Sequence, residues 1–252
     1  MGNYMEGAEP FEFDGDGPSV LVLHGFTGTT QSMHFLGKSL NENYGFHVLG
    51  PCLAGHGTSV DEMAKTGYRD WMASADAALH KLAKRGKPVF VTGLSMGGML
   101  TLALAARYPD IIAGIVPINA IAGENDGGLA TLVLDPAAPD RIPGIGSDIK
   151  ASGVTELAYS EVPVSCLREV YLAQAAIGDT LYNITCPVQI IQSREDHVVH
   201  PSNALRIMRG IKSSDIRLLW LDNSYHVATL DNDKELIAAR AGQFFGETLC
   251  DQ

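Results

Sequence analysis

The chain has 252 residues, 46% of them hydrophobic, and its 18 Lys and Arg against 29 Asp and Glu give a formal charge of −11 at pH 7. That size and apolar content are enough for one large buried core, and the acidic balance, with no basic cluster, disfavours nucleic acid and anionic membrane surfaces as partners. No run of 18 or more apolar residues occurs, and Met1 to Pro18 has neither the basic region nor the apolar stretch of a secretion signal, so a soluble, cytoplasmic protein without stable membrane insertion is expected.

The segment before Ser19 is short and acidic, with little room for two extra leading strands. Ser19-Val20-Leu21-Val22-Leu23 then reads as a buried strand, and His24-Gly25-Phe26-Thr27-Gly28 as the loop at its end. A second strand is expected near residues 46–50. A helix follows in which Trp71, Ala75, Ala78, Leu79 and Leu82 share one face.

Residues 88–92 form a third strand. After it come Gly93-Leu94-Ser95-Met96-Gly97 and an alanine-rich helix from Met99 to Tyr108. Further strands are expected near 111–117, 187–192 and 216–221, and a last helix buries Ile237, Ala241, Phe244, Phe245 and Thr248. Strands alternating with helices predict a mainly parallel sheet covered on both faces, in a single domain spanning residues 1–252. Residues 120–183 break this rhythm. They carry Gly127-Gly128, Pro136, Pro139, Pro143 and Pro163 among short apolar runs, so no regular strand-helix unit is expected there. A connection of that length predicts a small cap inserted before the strand at 187–192. Cys52, Cys166, Cys186 and Cys250 are widely spaced with no Cys-x-x-Cys pair, which predicts reduced thiols and no zinc site.

The stretch at 93–97 has the Gly-x-Ser-x-Gly form of a nucleophile elbow, in its required setting of strand, sharp turn and helix. The plainer alternative is a tight turn with a serine helix cap. If Ser95 is a nucleophile, an acid and then a histidine must follow it in the chain. That order leaves His197, His200 and His226. Ser193-Arg194-Glu195-Asp196-His197 is a polar turn at the end of one strand and supplies Asp196 as the acid, with Glu195 as its neighbouring competitor. Asp222-Asn223-Ser224-Tyr225-His226 ends the next strand and supplies His226 as the base. His197 and His200 read as loop residues. An imidazole must take the serine proton during attack, and a carboxylate on its far side fixes the tautomer and stabilises the imidazolium. The oxyanion that forms needs two donors, assigned to the backbone N–H groups of Met96 and Phe26. His24 is then structural. No residue set suggests a metal or organic cofactor, and this chemistry requires none.

Five segments carry a resemblance: Leu23-His24-Gly25-Phe26-Thr27-Gly28-Thr29, Gly55-His56-Gly57-Thr58, Val91 to Gly98, Glu195-Asp196-His197-Val198-Val199 and Asn223-Ser224-Tyr225-His226-Val227-Ala228-Thr229-Leu230. On these, the chain resembles the α/β-hydrolases of the carboxylesterase group, most closely the small bacterial monoacylglycerol lipases. The resemblance implies an α/β-hydrolase fold with a small cap and a monoacylglycerol or related fatty-acid ester as small-molecule substrate. It also implies that Ile145, in Gly144-Ile145-Gly146-Ser147-Asp148, borders the alcohol side of the pocket. Glu156, in Thr155-Glu156-Leu157-Ala158-Tyr159, would recognise glycerol through its hydroxyls. By the residue alone Glu156 is equally a surface carboxylate. The run Glu124-Asn125-Asp126-Gly127-Gly128 and residues 136–143 depart most from the family's pattern. Two other functions stay open: a broad carboxylesterase with a cap that does not discriminate for glycerol, and a non-hydrolytic ligand-binding protein on the same fold.

Overall fold

The computed structural model describes residues 4–123 and 127–250; Glu124, Asn125 and Asp126 lie outside the described residues. In chain order the elements are β1 (Phe11–Phe13), β2 (Ser19–Leu23), α1 (Gln31–Tyr44), β3 (His47–Gly50), α2 (Val60–Met63), α3 (Tyr68–Ala83), β4 (Val89–Leu94), α4 (Met96–Arg107) and β5 (Ile112–Ile118). There follow α5 (Gly127–Leu134), β6 (Arg141–Pro143), β7 (Glu161–Pro163), α6 (Val164–Gly178), β8 (Val188–Ser193), α7 (Ser202–Gly210), β9 (Ile216–Leu221) and α8 (Lys234–Cys250).

The six expected strands all form and join one sheet in the order β1-β3-β2-β4-β5-β8-β9. All pairings in it are parallel except β1 with β3. One leading strand, β1, is present where no element was expected. It holds Phe11 against Gly37 and Gly50, where any Cβ would run into the Phe11 ring. Both sheet faces are covered, which is why β2, β4 and β8 are buried along their whole length rather than in alternation. Val20, Val22 and Phe90 pack with Met33 and Leu36 of α1 and Phe244 and Phe245 of α8. Leu21, Leu23 and Val91 pack on the other side with Trp71 of α3, Met99 and Leu100 of α4 and Cys166 of α6.

The chain runs from β2 outward to β3 and then returns to β4 on the other side, so the sheet changes direction between β2 and β4. The carboxyl ends there are in register, Leu23 opposite Gly93 and Leu94 opposite Ile118. Ser193 is level with Leu221 at the far side. The loops leaving these ends therefore meet at one rim, the usual place for a ligand site in an open α/β sheet.

The cap region departs from the irregular connection expected of it. The prolines flank its elements instead of interrupting them: Pro163 precedes the 15-residue α6, and Pro143 closes strand β6 of a two-stranded hairpin with β7. Helix α6 lays Cys166, Val170 and Ala173 into the main core, while Val133, Val162 and Leu167 form a small apolar cluster of their own.

Candidate active site

Ser95 sits between β4 and α4 at φ 58° and ψ −116°, outside the regions open to a relaxed non-glycine residue. Its N–H donates to Ile118 O at 2.9 Å, and its carbonyl accepts from Met99 at 3.0 Å, so both sides of the strained residue are held. The tight turn needs Gly97 and Gly98. A Cβ on Gly97 would enter the carbonyl oxygens of Leu23 and His24, and one on Gly98 would come within 2.5 Å of Ala120 Cβ. Helix α4 therefore begins at Met96, three residues before its expected start, with two glycines in its first turn.

Met96 opens α4, so its N–H has no carbonyl one helical turn earlier to bond to. Gly25 faces the serine directly: a Cβ there would lie 3.4 Å from Ser95 Cβ and 3.9 Å from Oγ. The loop carrying Phe26 is thus beside the hydroxyl. His24 is buried beneath that loop, with Nδ1 on Gly25 O at 2.9 Å and Nε2 accepting from Leu53 N–H at 3.0 Å, and burial pulls its pKa down to about 4. Neighbouring His56 is likewise buried and held near 3. Both are weak bases, because burial disfavours the imidazolium that proton uptake would form, and both ring nitrogens of His24 are already engaged.

His226 and Asp196 are brought together. His226 Nδ1 lies 2.9 Å from Asp196 Oδ2, with side chains 8% and 0% exposed. The other Asp196 oxygen accepts the N–H groups of Val198 at 2.9 Å and Val199 at 2.8 Å, which fixes the carboxylate. Burial lowers the affinity of His226 for a proton, but the charge and hydrogen bond of Asp196, aided by Glu156 and Asp148, raise its pKa above the ordinary 6.5. Glu195, the competitor, points outward and pairs with Lys150 at 3.0 Å. His197 is exposed, as a loop residue should be. Among the described residues no hydrogen bond joins Ser95 Oγ to His226, a contact that in ligand-free enzymes often tightens only when substrate binds.

The two cap residues differ. Ile145 is 70% exposed. Glu156 is half-buried: its Oε1 lies 2.5 Å from where a Gly28 Cβ would be, and its N–H donates to Ser147 Oγ at 2.9 Å. Burial pushes its carboxyl up to about 7, against the opposing pull of His226. Glu156 therefore stands between the Phe26 loop and the histidine, and is no ordinary surface carboxylate.

A further residue, Asn119, was not legible from the sequence. It is fully buried just past β5 at φ 44°. Its Nδ2 donates to His226 O at 2.7 Å and Ser193 Oγ at 3.1 Å, and its Oδ1 accepts from Ser193 N–H at 2.7 Å. One side chain next to the elbow thus ties the end of β8 to the loop that carries His226.

The alpha/beta hydrolase fold family matches residues 18–151, and the serine aminopeptidase S33 family matches residues 147–233. A thermostable monoacylglycerol lipase of Bacillus sp. (strain H-257) is 43% identical over 96% of both chains. The chain belongs to the alpha/beta hydrolase fold family. A carboxylesterase of Bacillus subtilis (strain 168) is 30% identical to this hydrolase-fold chain over 91% of it and 92% of the relative. A solved structure among the metagenome-derived lipolytic enzymes LipS and LipT superposes with a TM-score of 0.94 at 49% identity, covering 97% of this chain and all of that one.

Proposed function

We propose that this hydrolase cleaves monoacylglycerols to fatty acid and glycerol through an acyl-enzyme on Ser95, in one catalytic domain with a cap over residues 120–183. The observation that carries the reading is the dry Asp196–His226 pair at the rim where the strained serine emerges. Ser95 Oγ attacks the ester carbonyl while His226 takes its proton. The tetrahedral oxyanion accepts from the N–H groups of Met96 and Phe26, and the imidazolium returns the proton to the departing glycerol oxygen. Water then repeats the sequence on the acyl-serine, freeing the fatty acid. Asp196 holds the imidazole and balances its transient charge.

The head-group reading rests on Glu156, whose carboxylate faces the Phe26 loop where an alcohol leaving group would lie. Two free hydroxyls suit such an acceptor. The relatives named above act, by their names, on monoacylglycerols or carboxylic esters. Among the described residues no helix is long and apolar enough to cross a membrane, and all four cysteines are unpaired, which supports a cytoplasmic site of action.

The test is a substrate panel on two variants. Ser95→Ala should lose at least about a thousandfold in kcat and resist labelling by a fluorophosphonate while keeping its melting temperature. Glu156→Ala should lower kcat/KM for 1-lauroylglycerol roughly tenfold and leave p-nitrophenyl laurate within about twofold. Equal losses on both substrates would make Glu156 a support of the cap, and no loss on either would make the enzyme a general carboxylesterase.

A further inference from the structure

The returning leg of the cap, residues 144–160, crosses between the loop that carries Phe26 and the loop that carries His226. On the first side, Tyr159 N–H donates to Thr27 O at 3.2 Å, and the Gln31 amide bridges Thr155 O at 3.1 Å and Leu157 N–H at 2.9 Å. On the second, buried Asp231 accepts four backbone N–H groups: Lys150 at 2.7 Å, Ala151 at 2.8 Å, Tyr225 at 2.9 Å and Asn232 at 2.8 Å. Asp148 comes closer still. Its Oδ2 accepts the N–H of His226 at 3.0 Å and of His197 at 3.3 Å, its Oδ1 meets His197 Nδ1 at 2.8 Å, and its carbonyl accepts from Val227 at 3.0 Å.

An imidazole can transfer a proton only if its ring is held in one orientation, and that orientation depends on its own backbone as well as on Asp196. The His226 backbone is gripped at both ends. Its carbonyl is held by Asn119, from the sheet, and its N–H by Asp148, from the cap. We propose that Asp148 is a positioning residue for the base, one that holds the His226 backbone and places a second negative charge beside the imidazolium. The cap is thereby built into the histidine site as well as lying over it. Ser147, next in the chain, accepts from Glu156 N–H, so the leg that reads the head group is the leg that holds the base. The inference rests on the triad reading above.

The charges around His226 are few. Asp196 meets its Nδ1, Glu156 faces it from the cap, and Asp148 lies at its backbone. Beyond them, His197 packs edge-on against Tyr225 at 4.6 Å, Lys150 sits 5.3 Å over that same ring and pairs with Glu195, and Asp231 accepts from Tyr225 N–H. Removing the Asp148 charge weakens the hold of His226 on its proton, so the acid limb of activity must move to lower pH.

The experiment compares wild type, Asp148→Asn, Asp148→Ala and the surface control Glu195→Gln on p-nitrophenyl butyrate from pH 5 to 9, with melting temperatures recorded for each. Asp148→Asn keeps the shape and a carbonyl acceptor for the His226 N–H, loses the charge, and turns the oxygen that faces His197 Nδ1 into an NH2 group. Its kcat/KM limb should fall by about 0.5 pH unit and its plateau kcat roughly threefold, with KM within about twofold. Asp148→Ala should lose roughly tenfold in kcat, and Glu195→Gln should leave the limb in place. If the alanine variant fails to fold, the asparagine variant alone decides. An Asp148→Asn limb that superimposes on wild type would overturn the inference while leaving the triad intact. A wild-type profile with no acid limb, or full turnover by Ser95→Ala, would overturn the triad reading and the inference with it.

Discussion

Replacing Glu156 by Gln should make the protein more stable and less selective, and the gain should depend on pH. In the folded chain burial carries this carboxyl from 4.5 up to about 7, with His226 pulling the other way. In the unfolded chain it ionises at its ordinary value. Between those two pH values the unfolded state releases a proton that the folded state keeps, so folding loses free energy as pH rises and the loss is complete only above pH 7. At about 1.4 kcal/mol per tenfold change in proton affinity the full effect is about 3 kcal/mol, and the partial exposure of Glu156 to water brings it nearer about 2 kcal/mol. Gln cannot ionise. Urea unfolding of both proteins at pH 5 and pH 8 should therefore give the variant an advantage of only about 0.5 kcal/mol at the lower pH, where the unfolded carboxyl has begun to ionise, and of about 2 kcal/mol at the higher. His24 and His56, buried neutral and themselves sources of acid instability, are common to both proteins and cancel in the difference. A difference between the two proteins that is the same at pH 5 and pH 8 would refute the reasoning.

Two further outcomes follow from the same site. Because its partners raise His226 above the ordinary histidine value, kcat/KM for an alkyl ester should climb through a one-proton limb centred above pH 6.5, and a flat profile with chemistry rate-limiting would remove histidine from the mechanism. Gly97→Ala should cost at least about 3 kcal/mol by urea unfolding, since its Cβ meets two backbone carbonyls that cannot step aside, and an unchanged midpoint would show that the elbow is looser than described.

Much of the frame was legible in the sequence because it rests on repeated signals. Six strands were marked by apolar runs bounded by turn residues, and the elbow by glycines whose absence of Cβ the packing requires. Asp196 and His226 were singled out because chain order and strand ends leave few alternatives, and the fold brings the two side chains within 2.9 Å of each other. What escaped has no periodic mark. Strand β1 is three residues long and is recognisable only once Phe11 is seen filling the space over Gly37 and Gly50. Helix α6 was hidden by reading the prolines around it as breakers, though Pro163 stands just before its first turn. Asn119, Asp148 and Asp231 are single polar residues whose bonding partners lie 74 to 107, 49 to 78 and up to 81 positions away respectively, distances over which no local pattern operates.

The cap leaves the sheet after β5 and returns at β8, and these two strands are hydrogen-bonded neighbours, with Ile115 opposite Val188 and Ile118 opposite Ile191. The excursion thus begins and ends at adjacent points of a rigid frame. Closing a flexible loop between fixed ends costs only about 0.6 kcal/mol more for each doubling of its length. Nothing in the strand order resists a longer or shorter excursion, provided the stretch around Asp148 still reaches the histidine. On the proposed function, new head groups and acyl chains would be accommodated by rewriting residues 129–143, whose Leu129, Leu132 and Val133 belong to a small apolar cluster apart from the two sheet-face cores, while residues 144–160 keep their bonds to the loops that carry Phe26 and His226.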